Sequence, residues 1–123
     1  MSELEDVVKD CAREVYRTLG AGYMERVYAE ALMVEFRLHN IEYETQRDVE
    51  ILYKEHKIGT SLIDLIVKGD PEIVIELKAA SKITTRSVEQ TASYLRTYEM
   101  KRGLLINFPY PYEEEPEFQV VEV

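Results

Sequence analysis

Val8, Cys11, Val15 and Leu19 recur at helical spacing, and Gly20-Ala21-Gly22 ends the pattern. This predicts a first helix over residues 3–19. A second helix is predicted from about Tyr23 to His39, with Met24, Val27, Ala31, Val34 and Leu38 as its apolar stripe and Asn40 at its end. From Ile41 the period shortens toward two. Tyr43 to Tyr53 alternates in part, Lys54-Glu55-His56-Lys57 reads as a polar turn, and Ile58 to Val67 reads as the next strand. Lys68-Gly69-Asp70-Pro71 predicts a turn that folds a third strand, Glu72 to Ala79, back beside the second. A third helix begins at Thr84 or Thr85 and ends near Tyr98, with Val88, Ala92 and Leu95 toward the core. Gly103 to Phe108 has few polar atoms, as expected inside a sheet, and Phe118 to Val123 alternates like an edge strand beyond three breaking prolines.

The predicted order is α-α-β-β-β-α-β-(β). It describes an α/β (α+β) fold with a mixed sheet flanked by helices, and residues 1–123 as one domain. The crossover through the third helix makes the strands on either side of it parallel if they pair.

Against this background three charged residues stand out. Asp64 lies within Ser61-Leu62-Ile63-Asp64-Leu65-Ile66-Val67, and Glu76 and Lys78 lie within Glu72-Ile73-Val74-Ile75-Glu76-Leu77-Lys78. Alternation places Ile73, Ile75 and Leu77 on one face of the strand and Val74, Glu76 and Lys78 on the other. An Asp, a Glu and a Lys can then meet at one spot. Two carboxylates can hold Mg²⁺, and an adjacent ammonium can steady developing negative charge. The plainer reading of the same residues is a cross-strand ion pair on a solvated face.

Composition narrows the function classes. The chain is 46% hydrophobic and 32% charged, ordinary for a soluble protein. Its single cysteine, Cys11, excludes an intramolecular disulfide and a zinc cluster built on cysteines, and reads as a packed core thiol. No apolar run approaches the roughly 20 residues of a membrane span, and the acidic N-terminus lacks a signal-peptide pattern, so a cytoplasmic location is expected. A net charge of −9 argues against indiscriminate nucleic-acid binding. The charge is uneven: Glu113 to Glu117 is an acidic run, whereas Lys82, Arg86, Arg96, Lys101 and Arg102 offer a modest positive rim. His39 and His56 fall in predicted loops with no partner spacing and read as surface residues.

Gly22-Tyr23-Met24-Glu25-Arg26-Val27-Tyr28 resembles the Gly-x-x-Glu-x-x-Tyr signature of the GxxExxY proteins, which lie in the PD-(D/E)XK nuclease superfamily. The likeness continues through Gly59, Asp64 to Val67, Ile75 to Ala79, Gln90, Tyr94-Leu95 and Gly103 to Phe108. It implies a restriction-endonuclease-like core and a Mg²⁺-dependent nuclease, with Mn²⁺ as a substitute ion and DNA as the partner. Asp64 and Glu76 would be metal ligands, with the Leu77 carbonyl as a further one. Glu25 would bind metal directly or through water. Lys78 would position the attacking water and stabilise the phosphoryl group. Gln90 would orient Lys78, water or phosphate, and Tyr28 and Tyr94 would support the site. The residues leave room for other roles: Glu25 is also a first-turn acid favoured by the helix dipole, and Gln90 also reads as a solvated helix residue. Departures from the pattern are Ile63 in place of proline before Asp64, and Ser87 where many relatives carry histidine. The runner-up function is a non-catalytic protein-interaction module on the same fold. A nucleic-acid mimic is third, disfavoured by the apolar setting of the carboxylates. A homodimer is compatible with the small area one domain offers to DNA.

Overall fold

The computed structural model describes residues 3–123. Two helices, α1 (Glu3–Leu19) and α2 (Glu25–Leu38), precede three strands, β1 (Tyr43–Tyr53), β2 (His56–Val67) and β3 (Ile73–Lys78). Helix α3 (Thr85–Tyr98), β4 (Arg102–Asn107) and β5 (Glu117–Glu122) follow. The five strands form one sheet in the order β1-β2-β3-β4-β5. Only β3 and β4 are parallel; the other three pairs are antiparallel. The sheet is therefore mixed, as the crossover required.

The sheet separates two apolar layers. Val8, Cys11, Val15 and Tyr16 of α1 and Tyr28, Leu32 and Phe36 of α2 pack on Leu65, Val67, Ile73, Ile75, Leu104 and Ile106. On the opposite face a smaller cluster joins Ile66, Val74 and Val121 to Leu95, with Val88 and Ala92 beside it. The alternation expected along β3 is thus realised.

Helix α2 overturns the expected apolar stripe. Met24 is 78% exposed and Leu38 70%, with Val27 and Val34 also open, whereas Tyr28, Leu32 and Phe36 are fully buried. These three recur every four residues and include two aromatic rings, so they define the packed face. Tyr28 stacks on Phe108 with ring centroids 4.2 Å apart and planes 8° from parallel. Its hydroxyl donates to the Gly20 carbonyl at 2.7 Å and accepts from the Tyr23 amide at 3.4 Å. The α1–α2 turn needs left-handed backbone at Gly20 (φ 78°) and Gly22 (φ 99°), which glycine adopts without strain. Tyr28 therefore fastens this turn to the core.

Local chemistry explains the other boundaries. Lys54 and Glu55 both have positive φ and form the two-residue link between β1 and β2. The Thr84 side chain accepts from the Ser87 amide at 3.1 Å and caps α3. Ser87 thus serves the start of the helix.

Because Tyr28 works through the turn, Tyr28→Phe should lower unfolding stability by about 1 kcal/mol, the net worth of one hydrogen bond. Denaturant titration measures it. Metal affinity should not move; a loss of metal binding with unchanged stability would reverse this reading.

Candidate active site

The site lies where β2 and β3 part. These strands pair only at Ile66↔Val74 and Val67↔Ile73. Continued in the same register, the ladder would set Leu65 against Ile75 and Asp64 against Glu76. It stops instead, and these four residues line a cleft of about 570 Å³. On its far side β2 also loses regular pairing with β1: Thr45↔Leu65 and Arg47↔Ile63 are partners, but Gln46 opposite Asp64 has φ 56° and no partner in the ladder. Ile63 packs with the α3 layer while Leu65 packs with the α1–α2 layer, so Asp64 marks a turn-over of the strand.

The base of the fork is held by charge. Arg47 grips Glu44 through two contacts of 2.6 and 2.8 Å and reaches Glu72 at 3.2 Å, and Lys68 bonds Glu72 at 2.5 Å. The Arg47 guanidinium holds the Glu44 carboxyl down at about 2. This network ties β1 to both ends of the β2–β3 turn while the strands diverge above it.

Helix α2 completes the cleft with Glu25, Arg26, Ala29 and Glu30. Glu25, Asp64 and Glu76 therefore share one opening. Asp64 is exposed rather than buried in an apolar strand, which corrects the sequence expectation; the ended ladder admits solvent to it. Glu76 and Lys78 are half-buried. Burial raises the Glu76 carboxyl above its ordinary range, the Lys78 charge opposes that, and the Asp64 and Glu25 charges add to it. The three carboxylates line the same cleft, although their oxygens do not all lie within 4.8 Å of one another; they are donors of the class a hard divalent cation takes.

Lys78 meets Gln90 of α3 at 3.4 Å, donating to its side-chain oxygen. Tyr94, one turn further along α3, stacks on Tyr98 with centroids 5.9 Å apart. Leu77 lines the cleft. Tyr28 does not line it; its hydroxyl is spent on the α1–α2 turn.

Other contributors were missed in the sequence. The Tyr98 hydroxyl lies 3.0 Å from the Ser61 hydroxyl, and the Glu76 and Asp64 charges are among the influences that raise its pKa, after burial. Tyr98 follows Gln90 and Tyr94 at four-residue intervals, a spacing that could have revealed it. Buried Asn107 accepts from the Ala80 amide at 2.9 Å and donates to the Ala80 carbonyl at 3.0 Å and to Glu117 at 2.8 Å. Glu117 also accepts from the Ile83 amide at 3.0 Å. This pair fixes the loop between Lys78 and α3, and hence the approach of Gln90. Away from the cleft, His39 is not partnerless: its Nδ1 lies 3.7 Å from Cys11 Sγ and 3.8 Å from a Glu35 carboxylate oxygen. Burial pushes the Cys11 thiol up to about 11, with Glu35 and Asp10 adding to it.

A family model for the PD-(D/E)XK nuclease superfamily matches residues 2–120. The chain belongs to the PD-(D/E)XK nuclease superfamily. A solved structure titled "Crystal structure of SSO0001" is similar to this superfamily member, at 19% identity and a TM-score of 0.51. The similarity covers 99% of this chain and 69% of that one, and it supports the restriction-endonuclease-like fold. No curated protein matches the chain. Among the described residues no helix is long and apolar enough to cross a membrane.

The raised Glu76 carboxyl has a pH consequence in the metal-free protein. A group whose folded pKa lies above its unfolded pKa adds stability below the unfolded value, and that contribution is lost as pH rises through the folded value. Glu76→Gln keeps the shape without the titration. In chelator, its melting temperature should gain on the wild type as pH rises from about 4 to 7, across the carboxylate range. A difference that stays flat with pH would contradict the burial argument.

Proposed function

We propose that this chain is a Mg²⁺-dependent nuclease that hydrolyses phosphodiester bonds in DNA or structured nucleic acid. The observation that carries the reading is the gathering of Glu25, Asp64 and Glu76 around one solvent-open cleft, with Lys78 acting electrostatically on Glu76. The GxxExxY resemblance supports it at Gly22, Glu25 and Tyr28.

Asp64, Glu76 and Glu25, with the Leu77 carbonyl, would hold Mg²⁺ or Mn²⁺, which when bound supplies charge neutralisation at the phosphate and a more acidic water. The remaining work falls to side chains. Lys78 offers a fixed positive charge to the phosphoryl oxygens as charge builds there. Gln90 accepts from Lys78 and restrains the direction of its ammonium. Arg26, on the α2 wall, supplies a fork of donors for a flanking phosphate. Tyr94 and Tyr98 stack on each other along α3, beyond the residues that line the cleft, and would steady the helix that carries Gln90. A homodimer would extend the area offered to a duplex.

Thermal melts with Mg²⁺ or Mn²⁺ test the metal site. The wild type should be stabilised, because the ion binds the folded chain alone and relieves carboxylate repulsion, and Asp64→Asn should abolish the effect. Assays on duplex, single-stranded and branched DNA test the chemistry. Lys78→Ala should reduce cleavage by about 10²–10³, as for loss of one preorganised donor. Wild-type cleavage by Lys78→Ala would remove its assigned role. No metal response and no cleavage by the wild type would favour the protein-interaction module, to which the net charge of −9 is suited.

A further inference from the structure

Near the other end of α2 from Glu25, three side chains with metal-binding atoms converge. Cys11 Sγ of α1, a Glu35 carboxylate oxygen of α2 and His39 Nδ1 at the α2 C-cap all lie within 4.8 Å of one another. We propose that Cys11, Glu35 and His39 form a site for one thiophilic divalent cation, of which Zn²⁺ is the type, separate from the carboxylate cleft.

The geometry is near what such an ion needs. Zn²⁺ sits about 2.3 Å from sulfur and about 2.0–2.2 Å from nitrogen or oxygen. In a tetrahedron those lengths place neighbouring donor atoms roughly 3.3–3.6 Å apart. The Sγ–Nδ1 separation is 3.7 Å and the Nδ1–Oε1 separation 3.8 Å, each within a few tenths of an ångström of that spacing, and the Sγ–carboxylate separation lies within 4.8 Å. Cys11 is 1% exposed and Glu35 half-buried, while His39 is open to solvent. His39 also lines an open depression of about 500 Å³ with Leu4, Val7 and Lys68, so the imidazole side of the cluster is accessible to solvent. One sulfur, one imidazole and one carboxylate select a borderline-soft ion over Mg²⁺, which prefers oxygen alone.

The protons balance. On ion binding the Cys11 thiol proton would leave to solvent and the His39 ring proton would reside on Nε2, freeing Nδ1. In the metal-free protein Nδ1 lies 2.9 Å from the Glu35 carbonyl, to which it donates, so the ring proton must pass to Nε2 and the ring turn from that oxygen for the Nδ1 lone pair to face the ion. That carbonyl keeps the His39 backbone amide at 3.0 Å, so no acceptor is stranded. The bound ion would clamp α1 to the end of α2. The 14 residues of α2 put it about 20 Å along the helix from Glu25. Single-cysteine sites carry no Cys-x-x-Cys spacing, which is why the sequence concealed this one.

Co²⁺ is the probe, added to the 123-residue chain carrying Asp64→Asn and Glu76→Gln so that the carboxylate cleft is disabled. A thiolate-to-cobalt charge-transfer band in the near ultraviolet, saturating at one ion per chain and displaced by Zn²⁺, is expected. Zn²⁺ should also raise the melting temperature in this background. Cys11→Ser should abolish the band. Exposed His39→Gln, which should fold normally, should weaken cobalt binding at least about 100-fold, beyond the usual cost of losing a supporting partner. Absence of the band, or its retention at unchanged affinity in His39→Gln, would overturn the site. Either result leaves the nuclease reading untouched, because the carboxylates of that cleft are already removed.

Discussion

The short ladder between β2 and β3 is the constraint on which the rest depends. Two paired positions, Ile66↔Val74 and Val67↔Ile73, anchor the strands, and the ladder then ends. Had it continued, Asp64 and Glu76 would have been cross-strand neighbours in a closed sheet, with like charges opposed and no room between them. Ending it turns the same two residues into walls of a cleft. The divergence is sustained from both sides. β3 is held straight by six parallel positions against β4, whereas β2 stays with β1 and turns over at the unpaired Gln46–Asp64 step.

Every other element sets what stands around that fork. Helix α2 is fixed by Tyr28 against Phe108 and by the Gly20 turn, and this seating brings its first residue, Glu25, to the cleft. Helix α3 is fixed from the opposite side by its Thr84 cap and by the Asn107–Glu117 pair that grips Ala80 and Ile83. Lys78 ends β3 between these two supports and finds Gln90. Glu25 and Tyr28, nearly one turn apart, therefore divide the labour: Glu25 lines the cleft, and Tyr28 secures the helix that presents it.

The sequence exposed period and order well, and tertiary choices poorly. Alternation along Ile73 to Lys78 correctly separated the two faces of β3, because an interior strand has only two faces. Helix α2 defeated the same logic. Met24, Val27, Val34 and Leu38 made a convincing stripe, yet Tyr28, Leu32 and Phe36 offered a second one, and packing volume decided between them. Asp64 looked buried because its neighbours are apolar; the exposed position arises from a ladder ending that no local pattern encodes. Tyr98, Asn107 and Glu117 act across 10 to 37 positions of chain, and Cys11 meets His39 across 28. Such pairs become readable only after the layers are in place.

The acidic character of the chain then takes on a physical sense. A surplus of carboxylates ordinarily repels a polyanion. Here part of that surplus is concentrated in a half-open cleft, where burial already makes the Glu76 charge costly and Asp64 and Glu25 make it costlier. A divalent cation held there would cancel two of the three carboxylate charges, and the neighbouring Lys78 and Arg26 would then outweigh the one that remains. Electrostatic attraction for a phosphate would be local and conditional on the ion, while the remainder of the surface keeps long tracts of nucleic acid at a distance. Weak general binding, with attraction confined to one ion-dependent spot, is the behaviour such a charge distribution would favour in the nuclease proposed above.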